Sequence, residues 1–180
     1  MLNLFSRNQL MNYSYNRFHL VNTYGAFGSV SRERYEVVIA GTNDFLVTDQ
    51  TEWREYQFKA KPGDPKRRPP QIAPYHLRLD WLMWFLQFSV AHTSQGIYTQ
   101  GYEVWFMKLV QKLLENDRET VRLLRDNPFH ETPPKLIRAL FYLYRYTDWR
   151  ERRQSGAWWT RQLIDTYLPP VSLSDLRRRL

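Results

Sequence analysis

Four histidines, His19, His76, His92 and His130, are the side chains of this chain best suited to proton transfer or metal ligation. Metal ligands on one helix or hairpin recur at short fixed intervals such as HxH or HExxH, and these four do not. With no cysteine there is no thiolate nucleophile, no thiolate metal site and no disulfide framework. GxSxG, GxGxxG and P-loop strings are absent, and Gly25 and Gly28 in YGAFG lack the strand-to-helix setting that cradles phosphate. The one acid–base grouping on offer is His76 with Asp64 or Asp80. Arg67, Arg68 and Arg78 crowd the same stretch, so ion pairing that lowers the carboxylate pKa is the simpler use. No catalytic, metal or cofactor-binding residue is therefore expected. The indole pairs Trp81/Trp84 and Trp158/Trp159 suit stacking on sugars, although core packing is the commoner use of tryptophan at helical spacing.

Most of these residues fall in or beside one segment, Lys61 to Phe85, KPGDPKRRPPQIAPYHLRLDWLMWF. It holds five of the ten prolines and the basic run Lys66, Arg67, Arg68. Proline fixes φ and excludes the α region from the residue before it, so Pro62–Pro74 reads as a stiff, extended surface connector. Two compatible roles follow. It is a crossover pinned by Arg78–Asp80 type pairs and aromatic packing, and it is a recognition surface, because Pro, Arg and Trp together suit protein contacts.

The connector joins unlike halves. Before it, Phe18–Tyr24, Arg34–Gly41 and Trp53–Ala60 alternate as half-buried strands, with a bend at Gly25 and Gly28 and turn chemistry at Gly41–Asp44. After it, Leu79–Val90 reads as a helix apolar nearly all round, hence covered on both sides. Ala91–Gln100 reads as a loop and Gly101–Glu115 as an amphipathic helix. Asn116 with Glu119 resembles a capping box opening a third helix that Asn127-Pro128 ends. Pro134–Thr147 fits helical and alternating patterns alike; its tyrosines and phenylalanine favour a strand over Ile137–Thr147. A polar turn over Asp148–Gly156, a short helix over Arg161–Leu168 and a frayed basic tail over Ser172–Leu180 complete the reading. The expected class is α+β, an antiparallel, sandwich-like sheet of early strands plus one late strand, packed with a few α-helices. The expected organisation is a lead-in over 1–16, one domain over 17–171 and a tail over 172–180.

One domain is the default at 180 residues, and an aromatic content of 16% excludes a disordered chain. The net charge of +8 suits an anionic partner, but its clusters are short and scattered, and no nucleic-acid motif accompanies them. The most apolar segment, Leu77–Ala91, carries Arg78 and Asp80 and is too short for a membrane span, so the chain reads as soluble. The start has no secretory signal pattern. Asn12-Tyr13-Ser14 is a formal glycosylation acceptor, relevant only in a secretory compartment.

The strings VNTYGAFGSVSRERYEVVIAGT, WREYQFKAKPGDPKRRPPQIAPYHLRLDWLMWF and NPFHETPPKLIRALFYLYRYT resemble the C-terminal globular region of the lipase maturation factor family, from about Asn8 to Val171. The resemblance implies assistance to a client protein, a lipase, and no catalysis. It implies membrane spans preceding Met1 in full-length members, in the endoplasmic reticulum of eukaryotes and the cell membrane of bacteria. The matching positions it marks for recognition or structure are Asn22, Tyr24, Arg67, Arg68, His76, Arg78, Asp80 and Trp81. Two competing readings stand beside it. One is a carbohydrate- or lipid-headgroup-binding β-domain using tryptophan and arginine. The other is an enzyme with His76 and a carboxylate in hydrogen-bond reach.

Overall fold

The structure, a computed structural model, describes residues 33–72, 75–93, 96–99 and 101–179. The lead-in, the strand expected at Phe18–Tyr24 and the bend at Gly25 and Gly28 lie outside the described residues. The alternating segment Arg34–Thr42 forms strand β1, and Arg54–Glu55 forms the short β2 on one of its edges. Leu136–Tyr146 and Trp159–Val171, β5 and β6, extend the sheet on the other side in the order β2-β1-β5-β6, antiparallel throughout. A separate hairpin pairs β3, Val90–Thr93, with β4, Gly96–Thr99. The helices are α1 (Arg78–Phe85), α2 (Val104–Leu114), α3 (Arg118–Val121), α4 (Trp149–Ser155) and α5 (Leu173–Arg179). The fold is thus α+β, built on an antiparallel sheet.

Alternation gives the sheet two unlike faces. Val37 and Ile39 of β1 and Ile137, Ala139 and Phe141 of β5 face the helices. They pack in one core with Met83, Leu86, Phe106, Val110, Leu113 and Leu176. Helix α2 supplies much of that core because its apolar residues recur at helical spacing, with Phe106, Met107, Leu109, Val110, Leu113 and Leu114 buried. Each large side chain so buried contributes roughly 1.5–3 kcal/mol. The opposite face carries a second, smaller cluster of Val38, Tyr144 and Trp159 with Tyr142 and Trp158 against it.

The structure corrects several sequence expectations. Trp53–Ala60 pairs as a ladder only at Arg54–Glu55; Gln57 then leaves for a bridge to Asp126. Its alternation survives because Tyr56 and Phe58 still point inward. The first helix ends at Phe85, and a 3-10 turn, Leu86–Ser89, follows, where the Ser89 hydroxyl donates to the Leu86 carbonyl at 2.8 Å. Ala91–Gln100 contains the hairpin and not a loop. The Asp165 carboxylate accepts from the Ile97 amide at 3.0 Å, a bond that holds this carboxyl below its usual range and ties the hairpin to β6. The third helix is only four residues long and is capped by Asp117, which accepts from the Thr120 amide. Asn116 instead sits at φ 49°, with its side chain on the Phe129 carbonyl and on Asn127.

The polar turn expected over Asp148–Gly156 holds helix α4, Trp149–Ser155, with a capping box between Asp148 and Glu151 and Gly156 left-handed at its end. Arg161–Leu168 lies in strand β6 and not in a helix, so two late strands join the sheet, not one. Pairing along β5 overrides local helical spacing there, and the outer position of β6 tolerates Pro169 and Pro170. The expected frayed tail carries α5, whose Leu176 is fully buried.

Candidate functional site

The connector crosses the second face of the sheet, held at three successive points and closed by a fourth contact back onto the segment that precedes it. Lys61 enters first: its ammonium donates to Glu36 on β1, and both residues are buried. The Arg34 guanidinium donates to the other Glu36 oxygen at 2.7 Å. Burial pulls the Lys61 pKa down, against the attraction of Glu36. Next, the Gly63 carbonyl accepts from the Tyr144 hydroxyl at 2.9 Å, and burial pushes that phenol up to about 12. The Pro65 carbonyl then accepts from the Trp158 and Trp159 amides at 2.8 and 3.1 Å. Finally Arg67 donates one arm to the Phe58 carbonyl at 2.9 Å and the other to the Lys59 carbonyl. Prolines make such a strap cheap to hold, because their φ is already restricted in the unfolded chain.

Arg67 is therefore a clasp, but not through the expected carboxylates. Among the described residues no carboxylate lies within ion-pair distance of Arg67, Arg68 or Arg78. Asp64 accepts from the Lys66 amide at 2.9 Å, and Asp80 accepts from the Ala60 amide at 2.6 Å. Asp80, in the first turn of α1, is 1% exposed, so the fixed Ala60 amide satisfies one of its oxygens better than a mobile arginine would. Residues 58–60 are thus gripped from both ends of the connector, by Arg67 and by Asp80. A further bond locks the sheet beneath: Arg161 on β6 makes a two-armed pair with Glu55 on β2 at 2.9 and 2.8 Å, over the ring of Tyr142.

Gripping Asp80 fixes which side of α1 faces inward. Asp80 and Met83 are buried, while Trp81, Phe85 and, on the 3-10 turn, Phe88 face outward at 36, 41 and 64% exposure. The expectation that both sides of this helix are covered is thereby corrected. The rings form one continuous run. His76 meets Trp81 edge-on at 5.0 Å, Trp81 meets Trp84 and Phe85 at 5.4 Å, and Trp84 meets Phe88 at 5.3 Å. Tyr75 stands exposed at the same end.

Of the marked residues, His76 and Trp81 come together in this run, and Arg78 is exposed on the same helix. Arg68 lies apart, its guanidinium 5.7 Å from the Trp158 ring. Asn22 and Tyr24 lie outside the described residues. A His76 ring nitrogen lies 3.1 Å from the Leu77 carbonyl, and the ring packs edge-on against Trp81. Phe85 and Phe88 were missed by sequence reasoning. Their signal is legible: positions 81, 85 and 88 share one helical face, opposite the acid at 80 and Met83.

The Lipase maturation factor C-terminal domain model matches residues 20–169. Lipase maturation factor 1 from Homo sapiens is 45% identical over 179 residues, covering 98% of this chain and 30% of that protein. The Mus musculus protein of the same name is 44% identical over the same share. Lipase maturation factor 2 from Homo sapiens is 36% identical over 162 residues, covering 87% of this chain and 20% of that protein. This chain thus spans under a third of the length of these relatives. No solved structure matches. Among the described residues no helix is long and apolar enough to cross a membrane.

Proposed function

Because this chain belongs to the lipase maturation factor family and carries its C-terminal domain, we propose that it is a non-catalytic contact module assisting a lipase client. The observation that carries this reading is the outward ring run Trp81–Phe85–Phe88 on a helix whose inner face is anchored. Exposed contiguous aromatic surface is unfavourable in water and marks a place where another apolar surface docks. Trp and its aromatic neighbours are the residues that dominate contact energetics. A folding lipase with apolar surface still uncovered fits that chemistry. The names of the relatives support the client class.

The test adds the 180-residue chain to a refolding secreted lipase and reads recovered activity and binding. The wild-type chain is expected to raise the active yield. The combined variant Trp81→Ala, Phe85→Ala, Phe88→Ala is expected to bind at least about tenfold more weakly, with its circular dichroism unchanged. A variant that assists as well as wild type overturns the proposal. So does a wild-type chain without effect on yield; binding on a glycan array or to vesicles in that case would move the indoles to the sugar- or headgroup-binding reading.

A further inference from the structure

Away from the aromatic run, two basic segments meet on one indole. Trp158 takes the Arg152 guanidinium of α4 at 3.3 Å from its ring centre, and that of Arg68 from the connector at 5.7 Å. The meeting is rigid, because the Trp158 amide donates to the Pro65 carbonyl and the Trp158 carbonyl accepts from the Thr147 amide. Arg150 and Arg153 lie on the same short helix, and Arg153 sits 5.8 Å from the ring of Trp149, which is 71% exposed.

Local acids do not neutralise this cluster. Glu151 is engaged on both oxygens, by Arg145 at 2.7 Å and by the Asp148 amide at 2.8 Å. Asp148 accepts from the Glu151 amide, and Asp64 from the Lys66 amide. Among the described residues no carboxylate lies within ion-pair distance of Arg68, Arg150, Arg152 or Arg153. On the sheet Arg34 pairs with Glu36, Arg161 with Glu55 and Arg145 with Glu151, while Arg54 lies on the Pro128 carbonyl and Arg138 over the Trp53 ring. What marks this cluster is that its arginines converge on two indoles, while the capping box uses the one acid on α4 to shape the helix.

We propose that this arginine–tryptophan cluster is a docking site for an acidic segment of a partner protein. A guanidinium laid on an indole keeps its N–H edge free and pre-oriented, the geometry that receives a carboxylate on two bonds. Exposed Trp149 beside the arginines supplies the apolar contact that distinguishes a protein segment from a lone ion. The site is separate from the ring run on α1 and does not depend on what that run binds.

The test is fluorescence anisotropy of a labelled poly-glutamate peptide with the full chain at low salt. Wild type is expected to bind, and more weakly as salt rises. Arg152→Ala with Arg153→Ala removes the α4 guanidinium groups that lie on Trp158 and Trp149 and is expected to weaken binding at least about fivefold; unchanged binding overturns the proposal. Arg177→Ala with Arg178→Ala on α5 removes equal charge and is expected to leave it unchanged. Absence of wild-type binding overturns the proposal, as does equal loss from the α5 variant. Tighter binding to phosphatidylserine vesicles than to the peptide, lost in the same α4 variant, also overturns it in favour of a membrane surface.

Discussion

Glu36→Ala is expected to destabilise the chain by about 3–5 kcal/mol, the cost of breaking a buried ion pair from one side. Lys61 is 5% exposed and Glu36 2% exposed, so loss of the carboxylate leaves an ammonium that water cannot reach. Burial already weakens its hold on the proton, and Glu36 is the main opposing influence. The variant therefore leaves Lys61 either to neutralise or to pull the connector off the sheet. Either outcome lowers the urea midpoint. Arg34 loses its partner as well, but it is partly exposed and that loss is small. A paired replacement, Glu36→Leu with Lys61→Met, separates the two causes. It removes both charges at similar volume and is expected to regain most of the loss. If the single and paired variants are equally unstable, packing and not charge holds the connector here.

Phe106→Ala is expected to cost a similar amount, about 3–5 kcal/mol, for a different reason. Its ring is fully buried and meets Tyr167 of β6 edge-on at 5.4 Å. It thereby joins α2 to the outer strand of the sheet. Truncation removes the apolar transfer energy and leaves a cavity between helix and sheet that neighbours fill only in part. With total stability typically about 5–15 kcal/mol, either change is expected to shift the thermal midpoint by many degrees. Phe106→Leu keeps most of the volume and is expected to recover much of the loss in the same melt.

Local patterns carried part of this fold into view. The alternation of Arg34–Gly41, the helical spacing of Phe106, Val110, Leu113 and Leu114, and the proline connector are each properties of a few adjacent residues. The bonds that organise them are not. Lys61 finds Glu36 across 25 positions, and Arg161 finds Glu55 across 106. Nothing near Lys61 or Arg161 in the chain names those partners. Strand β6 shows the same limit, since Leu163, Ile164 and Tyr167 fit helical spacing and only the edge of β5 draws them into a sheet. At the site, the residue types in the connector were informative, but their pairing was not. Arg67 and Asp80 each chose backbone partners over each other. The aromatic face of α1 was obscured for a simple reason: a helix apolar nearly all round predicts burial all round, and only the packing shows which side stays open.

The connector is fastened across the sheet, so that α1 presents its rings from a fixed base. The most direct measurement is native-state hydrogen exchange at the Trp158 and Trp159 amides, which donate to Pro65 of the connector. Protection close to that of the β1–β5 ladder amides, lost only with global unfolding, is the expected result. Exchange of both amides at the rate of an unstructured peptide, with the ladder still protected, would contradict it.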